Sequence, residues 1–170
     1  RLSAARLVMR ERGWRALVAH GDARENGLLC YLTNFVPYLR WGLALVGLDG
    51  PVRLVAAVGP RDLPSVKRLT PIEDIRASSD VGASISDWLS GQASLAAGSI
   101  AIANLGHMRL DVGRKAMAAC DGFGGAVEAG AAFAGLLRAG RPRELALVEE
   151  SHASLRQACG EIEQARAGGR

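Results

Sequence analysis

Aromatic side chains are scarce, at 5% of the 170 residues. Ala, Gly, Leu and Val must therefore fill the core, as suits closely packed α/β layers. Cysteine is scarcer. Cys30, Cys120 and Cys159 are odd in number and far apart, with no C-x-x-C pair. That argues against a disulfide framework and a zinc ribbon, and for buried, inert thiols in a reducing compartment. No apolar run approaches membrane-spanning length and no export signal is visible. No membrane partner is expected, and a cytoplasmic location is. Lysine is nearly absent: only Lys67 and Lys115 join the arginines, and the net charge is +4. The acids are interspersed with those arginines. No dense basic run alternates with aromatics as a single-strand groove requires, so no nucleic-acid partner is expected.

What is present is a regular alternation of short apolar runs with helical patterns. Leu2, Ala5, Leu7, Val8 and Met9 recur at roughly helical spacing, and Gly13 stops them. Residues 16–19 read as a buried strand, and 25–32 as a short helix. A strand over 43–48, the turn pair Asp49-Gly50 and a second strand over 52–58 form a β-hairpin. Pro60, Pro64 and Pro71 punctuate a connection with room for one helical turn. A strand is expected over 72–77, then a helix over 80–89 with Val81, Ile85, Trp88 and Leu89 on one face. Residues 98–103 form another buried strand. Asp111 is placed to cap a helix running to Ala119. An edge strand over 125–129 and a short helix over 131–138 follow. The pattern predicts a layered α/β/α domain with a mixed sheet containing the hairpin.

A long C-terminal helix, about 143–167, comes after that unit. Leu145, Val148, His152, Leu155, Cys159 and Ile162 fall at steps of three and four, one stripe along the helix. Glu149, Glu150, Arg156, Glu163 and Arg166 take the other face. Such a stripe needs a partner: a second domain, a second copy, or the sheet of its own chain.

The residues that carry chemistry elsewhere do not converge here. His20, His107, His152 and the cysteines form no local pair with zinc spacing. His152 and Cys159 lie two helical turns apart, about 10 Å in rise, too far to ligate one ion. The run from Gly122, GFGGAVEAG, breaks the G-x-G-x-x-G pattern at Val127 and reads as a turn. Ser84, Ser86 and Ser151 lack a nucleophile elbow. Glu149-Glu150 and Glu161/Glu163 read as a solvated face, and Asp22, Glu25, Asp49, Asp62 and Asp111 as turn and cap residues.

Two stretches carry a resemblance. ENGLLCYLTNF, 25–35, resembles the N-x-x-Y-L-T-G-F signature of the creatinase, prolidase and aminopeptidase P family. Tyr31, Leu32, Thr33 and Phe35 match, and Asn34 replaces the glycine. Leu28 stands where the signature has asparagine, and Asn26 lies two residues too early to take that role. The strand, Asp-Gly turn and strand that follow keep the family's order. LLRAGRPRELALVEESHASL resembles the junction R-x-x-K-x-x-E-I that leads into the family's catalytic pita-bread domain. Arg138, Arg141, Glu144 and Leu145 fill it, with Arg for Lys and Leu for Ile.

The resemblance implies a creatinase/prolidase-type N-terminal domain over 1–140. Residues 141–170 would be the linker and first helix of a catalytic domain outside this sequence. The family's two-metal ligand set of two Asp, one His and two Glu is not available after the junction. No catalytic residue and no metal ligand is therefore assigned in this chain. A divalent metal (Mn, Co or Zn) is expected in the catalytic domain, whose reaction would be cleavage of an Xaa-Pro bond or a creatinase-like hydrolysis. The expected role of this domain is dimerisation, as a homodimer, and substrate gating. Tyr38, Arg40 and Trp41 would face the partner subunit's site, and Leu145, Val148, Leu155 and Ile162 would form a dimer or domain interface. The alternatives are that the aromatics cover the sheet edge and Arg40 is a surface charge, and that the chain is a stand-alone α/β binding or interaction module.

Overall fold

Apolar runs of four to seven residues, too short for helices, build the centre of the molecule. In this computed structural model, residues 1–38, 40–92, 95–138 and 142–168 are described. Six strands among them pair into one sheet: β1 (Ala16–Asp22), β2 (Trp41–Gly47), β3 (Arg53–Ala56), β4 (Asp74–Ala77), β5 (Ile100–Ala103) and β6 (Ala126–Glu128). Their order across the sheet is β4-β3-β2-β1-β5-β6. Only β2 runs against its neighbours, pairing antiparallel with both β1 and β3; the other pairings are parallel. The expected hairpin is β2–β3. Because β2 is reversed, its first residue, Trp41, lies at the edge where β1, β3, β4, β5 and β6 end.

Helices cover both faces. Leu17, Ala19, Ala44, Val46, Leu54 and Ala101 point to one side, against α1 (Leu2–Glu11), α2 (Gly27–Thr33), α3 (Leu63–Leu69) and α6 (Gly130–Arg138). Ala16, Val18, Leu43, Leu45, Val55, Ile100 and Ile102 point to the other, against α4 (Val81–Ser90) and α5 (Leu110–Asp121). The period-two alternation of strands and the helix stripes therefore produce the expected α/β/α layers. On the first face, Trp14 and Phe133 stack with centroids 5.9 Å apart. α7 (Pro142–Ala167) follows. The chain divides into two units, Arg1–Leu137 and Arg138–Arg170.

Several expectations need correction. The connection after β3 holds a 3-10 turn, Pro60–Asp62, and a seven-residue α3. Pro64 does not interrupt α3 but occupies its first turn, where the missing N–H costs nothing. Asp111 is not the cap of α5: that position is Arg109, and Asp111 sits in the first turn, 3.2 Å from the Arg109 Nε. Only Cys120 is buried; Cys30 is half-buried and Cys159 exposed. Burial, followed by the neighbouring Asp121 charge, pushes the Cys120 thiol up to about 11.

The signature stretch explains its own departure. Asn34 ends α2 at φ 57° and ψ 9°, in the left-handed region. Glycine adopts that conformation most freely, and asparagine is the side chain that best replaces it. Thr33 is fully buried. Its Oγ1 donates to the Leu29 carbonyl at 2.7 Å and accepts from the Phe35 N–H at 3.1 Å, and the Thr70 hydroxyl donates to the Thr33 carbonyl. The Tyr-Leu-Thr stretch is thus a helix-to-loop hinge that aims the following segment along the sheet edge.

Candidate functional site

Phe35 starts that segment and is buried, so it anchors the loop. Trp41 ends it as the first residue of β2, opposite Asp22 in the register. Between them Val36 and Tyr38 are exposed, Tyr38 at 87%. Arg40 is also exposed. Among the three expected gating residues, then, Tyr38 and Arg40 stand in solvent and Trp41 is half-buried at the root.

Two clefts open at this carboxyl edge, where ligands of open α/β sheets commonly bind. The first has a volume of about 1,090 Å³ and lies between loop 35–41 and the segments after β3 and β4. Tyr38, Arg40 and Trp41 line it with Val58, Pro60 and Leu69. Its wall is apolar aromatic and aliphatic surface with Arg40, and with Arg61 and Asp62, which lie 3.9 Å from each other. Such a surface suits a hydrophobic group carrying a carboxylate.

The second cleft, about 820 Å³, opens between the end of β1 and the starts of α4 and α5. Arg40, Trp41 and Ser79 line both clefts and so form the wall between them. Its polar floor comes from β1. His20 is 3% exposed and its Nδ1 has no hydrogen-bond partner. Burial depresses the His20 pKa, and the Asp22 charge only partly restores it. The ring is therefore neutral near pH 7. Burial pushes the Asp22 carboxyl up. The Glu25 and Arg24 amides, donating to its Oδ1 at 2.9 and 2.8 Å, outweigh this and hold it below the usual range. The His20 carbonyl accepts from the Asn104 side chain at 3.1 Å.

Among the described residues, no group of three or more His, Cys, Asp or Glu is placed to hold a metal ion. His20 and His107 share the second cleft with Asp22, Glu25 and Asp111, but no three of these are placed to hold one ion. The glycines after Gly122 form a turn. Gly124 takes φ 91°, and a Cβ there would meet the Ala97 Cα at 2.8 Å. Leu145, Val148, Leu155 and Ile162 all lie on α7, which buries none of its side chains. Arg141, part of the junction motif, lies outside the described residues. No described helix is long and apolar enough to cross a membrane.

Sequence reading weighed His20 only as a metal ligand and missed the second cleft. One local signal was available: a histidine and an aspartate closing an otherwise apolar strand.

The six-stranded sheet with one reversed strand, helices on both faces and clefts at the carboxyl edge defines a three-layer α/β/α domain. Its fold is that of the creatinase/prolidase N-terminal domain. It is similar to that domain of an X-Pro dipeptidase from Streptococcus pyogenes, at TM-score 0.50 and 16% identity, over 69% of this chain and 90% of that one. The prolidase from Pyrococcus horikoshii OT3 matches at TM-score 0.58 and 12% identity, over 87% of this chain. The X-Pro aminopeptidase from Thermotoga maritima MSB8 matches at TM-score 0.57 and 15% identity, over 77% of it. The chain spans only 38% of that prolidase and 34% of that aminopeptidase. No protein-family model matches the sequence, and no curated protein matches it.

Proposed function

We propose that this chain is the non-catalytic N-terminal domain of an Xaa-Pro peptidase or creatinase-like hydrolase, serving dimerisation and substrate gating. The observation that carries the reading is the exposure of Tyr38 and Arg40 at the carboxyl edge, beside buried Thr33 and Phe35, in a fold shared with X-Pro dipeptidase N-terminal domains. In a homodimer, Tyr38 and Trp41 offer apolar surface to the partner subunit's substrate, and Arg40 pairs with its carboxylate. Bond-making belongs to the catalytic domain, to which residues 141–170 are the linker and first helix. The described residues do not fit the divalent metal (Mn, Co or Zn) that the resemblance implies. The metal would belong to that catalytic domain.

The test is steady-state kinetics of the polypeptide encoded by the whole gene on an Xaa-Pro dipeptide. A charge-assisted hydrogen bond contributes roughly 1.5–3 kcal/mol. Arg40→Ala is therefore expected to raise KM about tenfold or more with kcat nearly unchanged. Unaltered KM in both Arg40→Ala and Trp41→Ala removes the gating role.

A further inference from the structure

We infer that Thr70 is a positioning residue for the first cleft: its hydroxyl ties the root of loop 35–41 to the end of α3 and so sets how the cleft's two walls stand. This rests on the gating role proposed above and adds to it a residue outside the loop.

A helix leaves its last carbonyls without partners inside the helix. α2 ends at Thr33, because Asn34 turns into the left-handed region. The Thr33 carbonyl therefore needs a partner from elsewhere, and Thr33 is fully buried, away from water. The Thr70 hydroxyl, 37 residues further along the chain, donates to it. The same Thr70 Oγ1 accepts from the Ile72 N–H at 3.3 Å. Thr70 is itself buried, so solvent does not compete for these bonds.

The two ends that Thr70 joins lead into the walls of the cleft. Thr33 runs into Phe35 and then into the loop that carries Tyr38, Arg40 and Trp41. Thr70 is the C-cap of α3, whose Ser65, Val66 and Leu69 also line the cleft. Leu32, Phe35 and Val66 belong to one buried apolar cluster. Apolar burial is non-directional, and it holds the walls close without fixing their angle. A hydrogen bond is directional, and the one from Thr70 supplies that orientation. Thr33 passes it on. Its Oγ1 donates to the Leu29 carbonyl and accepts from the Phe35 N–H, so the start of the loop is bonded to the residue that Thr70 holds.

A displaced wall changes how firmly a substrate is gripped and leaves bond-making alone, so the signature falls on KM. The experiment compares Thr70→Val with Thr70→Ser. Valine keeps the shape but neither donates nor accepts, whereas serine keeps the hydroxyl and loses a methyl group. The readout is steady-state kinetics of the polypeptide encoded by the whole gene on an Xaa-Pro dipeptide. Thr70→Val is expected to raise KM roughly threefold to tenfold with kcat nearly unchanged, and Thr70→Ser to restore KM to within about twofold. An unchanged KM in Thr70→Val, a loss carried by kcat, or a Thr70→Ser as impaired as Thr70→Val overturns the inference.

Hydrogen exchange in the unsubstituted 170-residue chain gives a second reading that needs neither hydrolysis nor a variant. The Phe35 amide, bonded to the Thr33 hydroxyl, is expected to exchange roughly tenfold or more slowly than the amide of exposed Tyr38. Equal rates overturn the clamp. An unchanged KM in Thr70→Val beside a raised KM in Arg40→Ala removes Thr70 and leaves the gating role standing. Unaltered KM in Arg40→Ala and Trp41→Ala removes the gating role, and this inference with it.

Discussion

His20 is where burial and titration meet. Its neutral form is favoured in the folded chain, mainly by burial, so its folded pKa lies below the ordinary 6.5. As pH falls through 6.5 the unfolded chain takes up the proton first, and stability drops until the folded pKa is passed. The expected outcome is a Tm that falls as pH drops through 6.5, and falls less in His20→Leu. Equal losses in both proteins would show that His20 is not the acid-sensitive group. Asn34 teaches a different lesson at this scale. The sequence shows a departure from the signature glycine, and only the backbone angle shows why the departure is tolerated. Asp111 was misread because an acid near a helix start can cap from outside or pair within the first turn. Here its partner, Arg109, decided the outcome.

Elements with a strong local pattern were legible. The face Val81, Ile85, Trp88 and Leu89 of α4 is buried as its spacing requires. The edge position of β6 and the β2–β3 hairpin also follow from short-range signals. α3 was underestimated because Pro60 and Pro64 read as breaks, although proline also starts helices. The second cleft was not legible, because its walls join β1 to residues some 90 positions later, and no local pattern encodes that distance. The packing of α2 on the sheet shows the same non-local logic. Gly21 and Gly42 face each other across β1 and β2. A Cβ on Gly21 would meet the Leu29 Cβ at 2.9 Å and the Asn26 Cα at 3.0 Å, so backbone must move. Gly21→Ala is expected to cost about 1–3 kcal/mol by overpacking. Gly106→Ala, with nothing within 4 Å, is expected to be near neutral. Urea midpoints of the two variants check the contrast, and equal midpoints would refute the close approach.

At the scale of the whole molecule, α7 carries the stripe Leu145, Val148, Leu155 and Ile162 on a helix that buries nothing of its own. Apolar stripes of this kind recruit partners. The 170-residue chain is expected to self-associate through α7, with Leu155→Glu shifting it toward monomer in sedimentation velocity. A clean monomer at tens of micromolar would count against that interface. On the function proposed above, this domain shapes access to a reaction it does not perform. The most direct measurement is hydrolysis of an Xaa-Pro dipeptide with added Mn²⁺, by the 170-residue chain and by the polypeptide of the whole gene side by side. Turnover by the whole-gene polypeptide and none by the 170-residue chain is predicted; turnover by the 170-residue chain alone, or by neither, would contradict it.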